Sequence, residues 1–135
     1  MKGGCYCGTL RYEVTGDPVM KAQCHCRECQ YITGGGPNFF MIVPSNGFAI
    51  TQGTAAAFER NDIPNPRLRQ FCPTCGTHIT TVIRERGLTV VKVGTLDDPA
   101  GDYGGPAMAI FMKDTQPYHL VAEGLPCFQD LPPRR

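Results

Sequence analysis

Seven of the eight cysteines in this chain fall into three tight clusters. They are Cys5-Tyr6-Cys7-Gly8, Cys24-His25-Cys26-Arg27-Glu28-Cys29 and Cys72-Pro73-Thr74-Cys75-Gly76. The layout is that of metal ligands. It constrains the fold because tetrahedral zinc takes four ligands, whereas a Cys-x-Cys or Cys-x-x-Cys pair supplies two. Joining Cys5 and Cys7 to Cys72 and Cys75 completes one four-sulfur site and ties the N-terminal strand to a mid-chain hairpin. The middle cluster supplies three ligands and leaves one coordination position free. A closed site is structural, whereas three protein ligands with an open position is where chemistry happens. Gly8 and Gly76 directly follow the two pairs. They are expected to let the backbone turn so that its N–H groups point at the sulfurs.

Other cysteine chemistry fits less well. Cys5/Cys7 and Cys24/Cys26 are separated by one residue, and a disulfide there would close a strained ring. Cys72-x-x-Cys75 has a thioredoxin-like spacing. That motif opens a helix, whereas here it precedes Gly76-Thr77-His78-Ile79-Thr80, which reads as strand. The first residues hold no apolar run of signal-peptide length, and no segment reaches the ~20 apolar residues of a membrane helix. The expected compartment is the cytoplasm, where disulfides are disfavoured. At 135 residues the chain predicts one domain, 1–135. A hydrophobic fraction of 41% allows a modest core, the kind that gains from a zinc staple. A net charge of +1, no dense Lys/Arg patch and no Trp argue against nucleic acid and membrane as partners.

Between the clusters the pattern is mostly strand. Short runs are expected at Thr9 to Val14, Val19 to Gln23, Phe39 to Val43, Phe48 to Thr51, Ala56 to Arg60 and Arg67 to Phe71. Further runs are expected at Thr77 to Ile83, Leu88 to Val93, Ala107 to Lys113 and His119 to Ala122. Gly, Pro, Asn and Asp punctuate them, which argues for an all-β, sandwich-like or barrel-like arrangement. With 16 Gly and 12 Pro there is room for little helix, one short segment over Glu28 to Ile32. Asp130 to Arg135 reads as a loose tail.

The three clusters, in this order and spacing, resemble the glutathione-dependent formaldehyde-activating enzyme family, which includes centromere protein V. The resemblance rests on Gly4-Cys5-Tyr6-Cys7-Gly8 with its following strand and on Cys24-His25-Cys26-Arg27-Glu28-Cys29-Gln30. It rests also on Arg69-Gln70-Phe71-Cys72-Pro73-Thr74-Cys75-Gly76-Thr77 and on Gly94-Thr95-Leu96-Asp97-Asp98-Pro99, and it spans Gly4 to about Pro126. It implies an all-β, mainly antiparallel β-tent of folded-over sheets. It also implies two zincs per chain, the second open to partial loss. Cys5, Cys7, Cys72 and Cys75 would hold the structural zinc, and Cys24, Cys26 and Cys29 the reactive one. The implied reaction is a carbon–sulfur lyase type, joining glutathione and formaldehyde into S-hydroxymethylglutathione.

Three thiolates on zinc carry a net negative charge, which suits the centre to binding a thiol better than to acidifying water. A thiol substrate such as glutathione brings two carboxylates, so cations are wanted. Arg27 lies inside the cluster and is the possible substrate contact; Arg60, Arg67 and Arg69 precede the third cluster. Each can equally be a solvated surface charge. Gly34-Gly35-Gly36-Pro37 reads either as a flexible cover or as a turn. His25 sits between two ligands, so packing or a hydrogen bond to a sulfur is expected of it. His78 and His119 read as structural, Asp97 and Asp98 as turn residues. Cys127 either closes the second site or is a free thiol. The alternative to an enzyme is a non-catalytic zinc-stabilised binding or thiol-carrier module. Either a monomer or a homodimer is compatible with the sequence.

Overall fold

A computed structural model describes residues 1–134. Its strands are β1 (Lys2–Gly4), β2 (Arg11–Val14), β3 (Met20–Cys24), β4 (Asn38–Pro44), β5 (Phe48–Gln52), β6 (Ala56–Phe58), β7 (Leu68–Phe71), β8 (His78–Ile83), β9 (Leu88–Lys92) and β10 (Ala109–Ile110). They form a three-stranded sheet in the order β1-β2-β5 and a seven-stranded sheet in the order β10-β3-β4-β9-β8-β7-β6. Every ladder is antiparallel except the short β10–β3 pairing. The helices are α1 (Arg27–Thr33) and α2 (Pro99–Asp102), with a few 3-10 turns. The mainly antiparallel, sheet-dominated class expected from the sequence is the one observed. Among the described residues no helix is long and apolar enough to cross a membrane.

Strand β4 is apolar from Phe40 to Val43 because both of its faces are covered there, whereas Phe39 at its start is exposed. Side chains alternate across a strand. Met41 and Val43, with Val91 and Val93, face the three-stranded sheet and pack with Leu10, Tyr12 and Val14. Phe40 and Val90 face the other way and pack with Ala22, Cys24 and Ile110. The seven-stranded sheet therefore has one core-building face against the small sheet. Its second face is covered by α1 and the C-terminal segment.

Besides α2, a second short helix that the sequence pattern did not indicate, four regions differ from the sequence expectation. Lys2–Gly4 forms β1 although glycines are poor strand formers. A Cβ on Gly3 would lie 2.4 Å from both the Thr95 carbonyl oxygen and the Tyr12 hydroxyl, so only glycine lets the strand approach this closely. Of Ala107 to Lys113, only Ala109–Ile110 pairs, because Phe111 turns into the left-handed region at φ 54 and Met112–Asp114 winds into a 3-10 turn. His119 to Ala122 joins no ladder; its backbone is held as a loop by His119, whose N–H donates to the Gln116 carbonyl. Asp130, expected in a loose tail, is pinned by the Phe111 N–H donating to its carbonyl and by Lys113 at its carboxylate. Arg135 lies outside the described residues.

Gly3→Ala should cost roughly 1–3 kcal/mol, the range for overpacking a filled site. Urea unfolding measures it; a change within error would mean that β1 does not need its close approach to Tyr12 and Thr95.

Candidate metal centres

The β1–β2 and β7–β8 connections are built alike. In the first, Cys5 N–H donates to the Leu10 carbonyl and Gly8 N–H to the Cys5 carbonyl. In the second, Cys72 N–H donates to the Thr77 carbonyl and Gly76 N–H to the Cys72 carbonyl. Gly8 and Gly76 take φ of 83° and 78°, conformations an L side chain rarely adopts. The glycine N–H groups thus close the turns rather than point at sulfur. Backbone donors to sulfur include Leu10, at 3.2 Å from Cys5 Sγ, and Cys75, at 3.5 Å from Cys72 Sγ. Tyr6 N–H reaches Thr77 Oγ1 at 3.1 Å and locks one turn against the other.

The two turns bring Cys5, Cys7, Cys72 and Cys75 together, with all four sulfurs within 4.8 Å of one another. Cys5 and Cys7 sulfurs lie 3.6 Å apart, Cys7 and Cys72 sulfurs 3.8 Å. Tetrahedral zinc with Zn–S bonds of about 2.3 Å requires sulfurs about 3.8 Å apart, so the donor set fits the ion. All are free thiols. Hydroxyls complete the surroundings: Thr9 Oγ1 lies 3.0 Å from Cys7 Sγ and Thr77 Oγ1 lies 3.1 Å from Cys75 Sγ. The Thr77 hydroxyl, with its backbone N–H, holds the Cys75 thiol down to about 5. Burial pushes Cys5 up, but donors from Leu10 and Thr9 outweigh it and hold that thiol at about 7. Such low values favour the thiolates a metal requires.

The second cluster lies on the opposite face of the large sheet. Cys24 ends β3 and is buried, Cys26 caps α1, and Cys29 sits one turn into it. Their sulfurs again lie within 4.8 Å of one another. Cys29 N–H donates to Cys26 Sγ at 3.4 Å. Hydrogen bonds from the Cys24 and then the Cys29 thiols bring Cys26 down to about 2, while its hydrogen bond with Cys26 pushes the Cys24 thiol up. Three sulfurs this close hold at most one thiolate unless a cation joins them. Among the described residues no fourth His, Cys, Asp or Glu atom joins the group. Cys127 stands elsewhere, exposed, its thiol directed at the Leu125 carbonyl.

His25 is fully buried, and its ring nitrogens meet Gln23, His119 and Thr115. His119 Nε2–H donates to the Gly35 carbonyl at 2.7 Å, which leaves its Nδ1 as an acceptor. His25 Nδ1–H therefore donates to His119 Nδ1 at 3.1 Å, and Gln23 Nε2–H donates to His25 Nε2 at 3.0 Å. This chain pins the Gly34-Gly35-Gly36 loop to the segment carrying His119. Gln30 adds a second clamp, donating to the His25 and Asp114 carbonyls.

The sequence-level cations are mostly engaged. Arg27 lies over the Tyr31 ring and donates to Gln30 Oε1. Arg60 pairs with Asp62, Arg67 with Glu85 and Arg69 with Glu28, around a cleft of about 220 Å³. Asp97 pairs with Arg11, and Asp98 caps α2 by accepting from Gly101 N–H at 3.0 Å. The sequence reading missed Lys92, a buried lysine at the end of β9 on the face that carries Cys24. The signal was present in Val90-Val91-Lys92-Val93, where a charge interrupts an apolar strand. Gln23 and Gln30 were also missed, since their hydrogen bonds join residues distant in sequence.

A family model described as glutathione-dependent formaldehyde-activating enzyme matches residues 1–114. No curated protein matches the chain. Among solved structures, the crystal structure of a Rhodobacter sphaeroides protein, a Northeast Structural Genomics target, is similar in fold. Its TM-score is 0.59 at 20% identity, with 72% of this chain and 88% of that chain covered.

His78 supplies a pH test of the local packing. Burial, then the nearby Lys92 charge, holds its imidazole down to about 4, below the usual value of 6.5. The unfolded chain therefore binds this proton more readily, and stability falls as pH drops from about 6.5 towards about 4. His78→Gln should lose less stability than wild type between pH 7 and pH 5 in urea unfolding. Equal losses would mean that His78 is not held neutral.

Proposed function

The chain belongs to the glutathione-dependent formaldehyde-activating enzyme family, and on that premise we propose that it is a zinc-dependent carbon–sulfur lyase-like enzyme acting on a small thiol adduct. The substrates are glutathione and formaldehyde, the product S-hydroxymethylglutathione. In this reading residues 1–135 act as one domain of the cytoplasm, with two zincs of different purpose.

Cys5, Cys7, Cys72 and Cys75 would hold the structural ion, since four sulfurs satisfy it. Cys24, Cys26 and Cys29 would hold the reactive one. The observation that carries this reading is the convergence of three sulfurs with no fourth protein ligand atom among the described residues. Zinc bound there supplies deprotonation of an incoming thiol, because a coordinating thiol ionises outright. The chain's own residues do the rest. Helix α1 orients Cys26 and Cys29 from one short element, and β3 presents Cys24 from beneath. The pinned Gly34–Gly36 loop, with Phe39, Tyr118 and Leu120, walls one approach to α1 with apolar surface. Holding thiol and aldehyde side by side supplies proximity.

The test is exchange NMR of glutathione and formaldehyde with the zinc-loaded protein. Wild type should accelerate adduct formation. Cys26→Ala should abolish the acceleration, lose one zinc and stay folded. Cys72→Ala should fail to fold, since structural zinc binding is folding free energy in small domains. No acceleration by wild type, or equal destabilisation of both variants, contradicts the proposal.

A further inference from the structure

The C-terminal end of α1, the start of β4 and strands β8 and β9 bound a cleft of about 380 Å³, lined among others by Ile32, Thr33, Phe39, His78, Lys92 and Thr95. None of these residues is a cysteine ligand. Lys92 is only 8% exposed. Its ammonium has no hydrogen-bond or ion-pair partner among the described residues. Every side-chain nitrogen or oxygen sealed from solvent does have a partner. The Lys92 Nζ therefore opens into the cleft. A buried ammonium with no carboxylate beside it costs stability, which marks a residue retained for what it contacts.

Register places Lys92 relative to the three-sulfur cluster. Cys24 pairs with Asn38 across β3 and β4, and Phe40 pairs with Lys92 across β4 and β9. Directly opposed residues share a face, as do alternate residues of one strand. Cys24, Asn38, Phe40 and Lys92 thus lie on one face, beneath α1. Burial draws the Lys92 ammonium down to about 8, against the opposing pull of the Cys29, Cys24 and Cys26 sulfurs. His78 supplies the complementary group. Its Nε2–H donates to the Thr80 carbonyl at 3.0 Å, which leaves Nδ1 as an acceptor. The cleft therefore offers one fixed cationic donor and one neutral acceptor next to a thiol-binding site.

We propose that Lys92 and His78 form the oxygen-binding half of the site. The Lys92 ammonium donates to the aldehyde oxygen as the thiol sulfur adds to its carbon, and His78 Nδ1 accepts from the hydroxyl of the resulting S-hydroxymethyl group. This rests on the thiol–aldehyde reading above. The sulfur–carbon bond forms from a thiolate lone pair, the carbonyl π pair moves onto oxygen, and that oxygen takes up, by way of solvent, the proton the thiol released on ionising. The aldehyde oxygen is neutral before addition and anionic at its end. A fixed cation beside it is thus worth more in the transition state than in the ground state. A hydroxymethyl group needs one donor and one acceptor, which the pair provides.

Two readouts separate this inference from the reading beneath it. Glutathione uptake is followed by the absorption of the cobalt(II)-substituted protein, and adduct formation by exchange NMR of the zinc protein. Lys92→Gln should bind glutathione as tightly as wild type and slow exchange about 100-fold, the loss expected for one oxyanion donor. Lys92→Arg should recover part of the rate, and His78→Phe should slow exchange without weakening thiol binding. Exchange by Lys92→Gln at the wild-type rate overturns the inference and leaves the enzyme reading standing. Weakened thiol binding in proportion to the lost rate also overturns it, since Lys92 would then anchor the thiol. If wild type takes up no thiol, both fall.

Discussion

The meeting of two cysteine turns, one after β1 and one after β7, is the constraint on which the fold depends. Cys7 and Cys72 are 65 positions apart, yet their sulfurs lie 3.8 Å from each other. Closing so long a loop costs chain entropy. The hydrogen bond from Tyr6 to Thr77 and the Thr9 and Thr77 hydroxyls arrange the sulfurs. A cation held by all four sulfurs would offset that cost, because the metal's binding free energy becomes folding free energy. Once the turns are joined, the three-stranded sheet lies over the large one and encloses Leu10, Tyr12, Met41 and Val91. A core of this size in a 135-residue chain benefits from such a staple.

Strands β4 and β9 then divide the molecule's work. Their residues facing the small sheet, Met41, Val43 and Val91, are apolar and nearly free of solvent. On the opposite face the same strands carry Phe40, Val90 and Lys92, and β3 adds Cys24. One face holds the fold together, and the other presents sulfur and a lone ammonium. The His25–His119–Gly35 chain and Gln30 fasten the C-terminal segment and the glycine loop around that second face. The loop next to the cluster is therefore braced.

Much of this was legible in the residues, for identifiable reasons. The cysteine clusters announced which sulfurs converge, four in one group and three in another. The strand at Phe39 to Val43, largely buried from Phe40 onward, and the helix after Cys26 were readable from local pattern. What escaped depended on neighbours remote in sequence. Strand β1 exists because Gly3 fits against Tyr12 and Thr95, contacts no local propensity encodes. The segment from His119 to Ala122 has a strand-like composition, but His119 spends its hydrogen bonds on Gly35 and Gln116. Arg60, Arg67 and Arg69 looked available for a carboxylate, and Glu28, Asp62 and Glu85 engage them. Lys92 drew no notice in sequence; its interest lies in having no such partner.

The central claim is that one zinc is closed by the chain and the other is left open for a thiol. X-ray absorption at the zinc edge, on fully loaded protein with and without glutathione, measures this most directly. Without thiol the average should be about three and a half sulfur neighbours per zinc, from one group of four and one of three. Glutathione should raise it to about four. An average that starts at four, or does not respond to the thiol, would contradict the account.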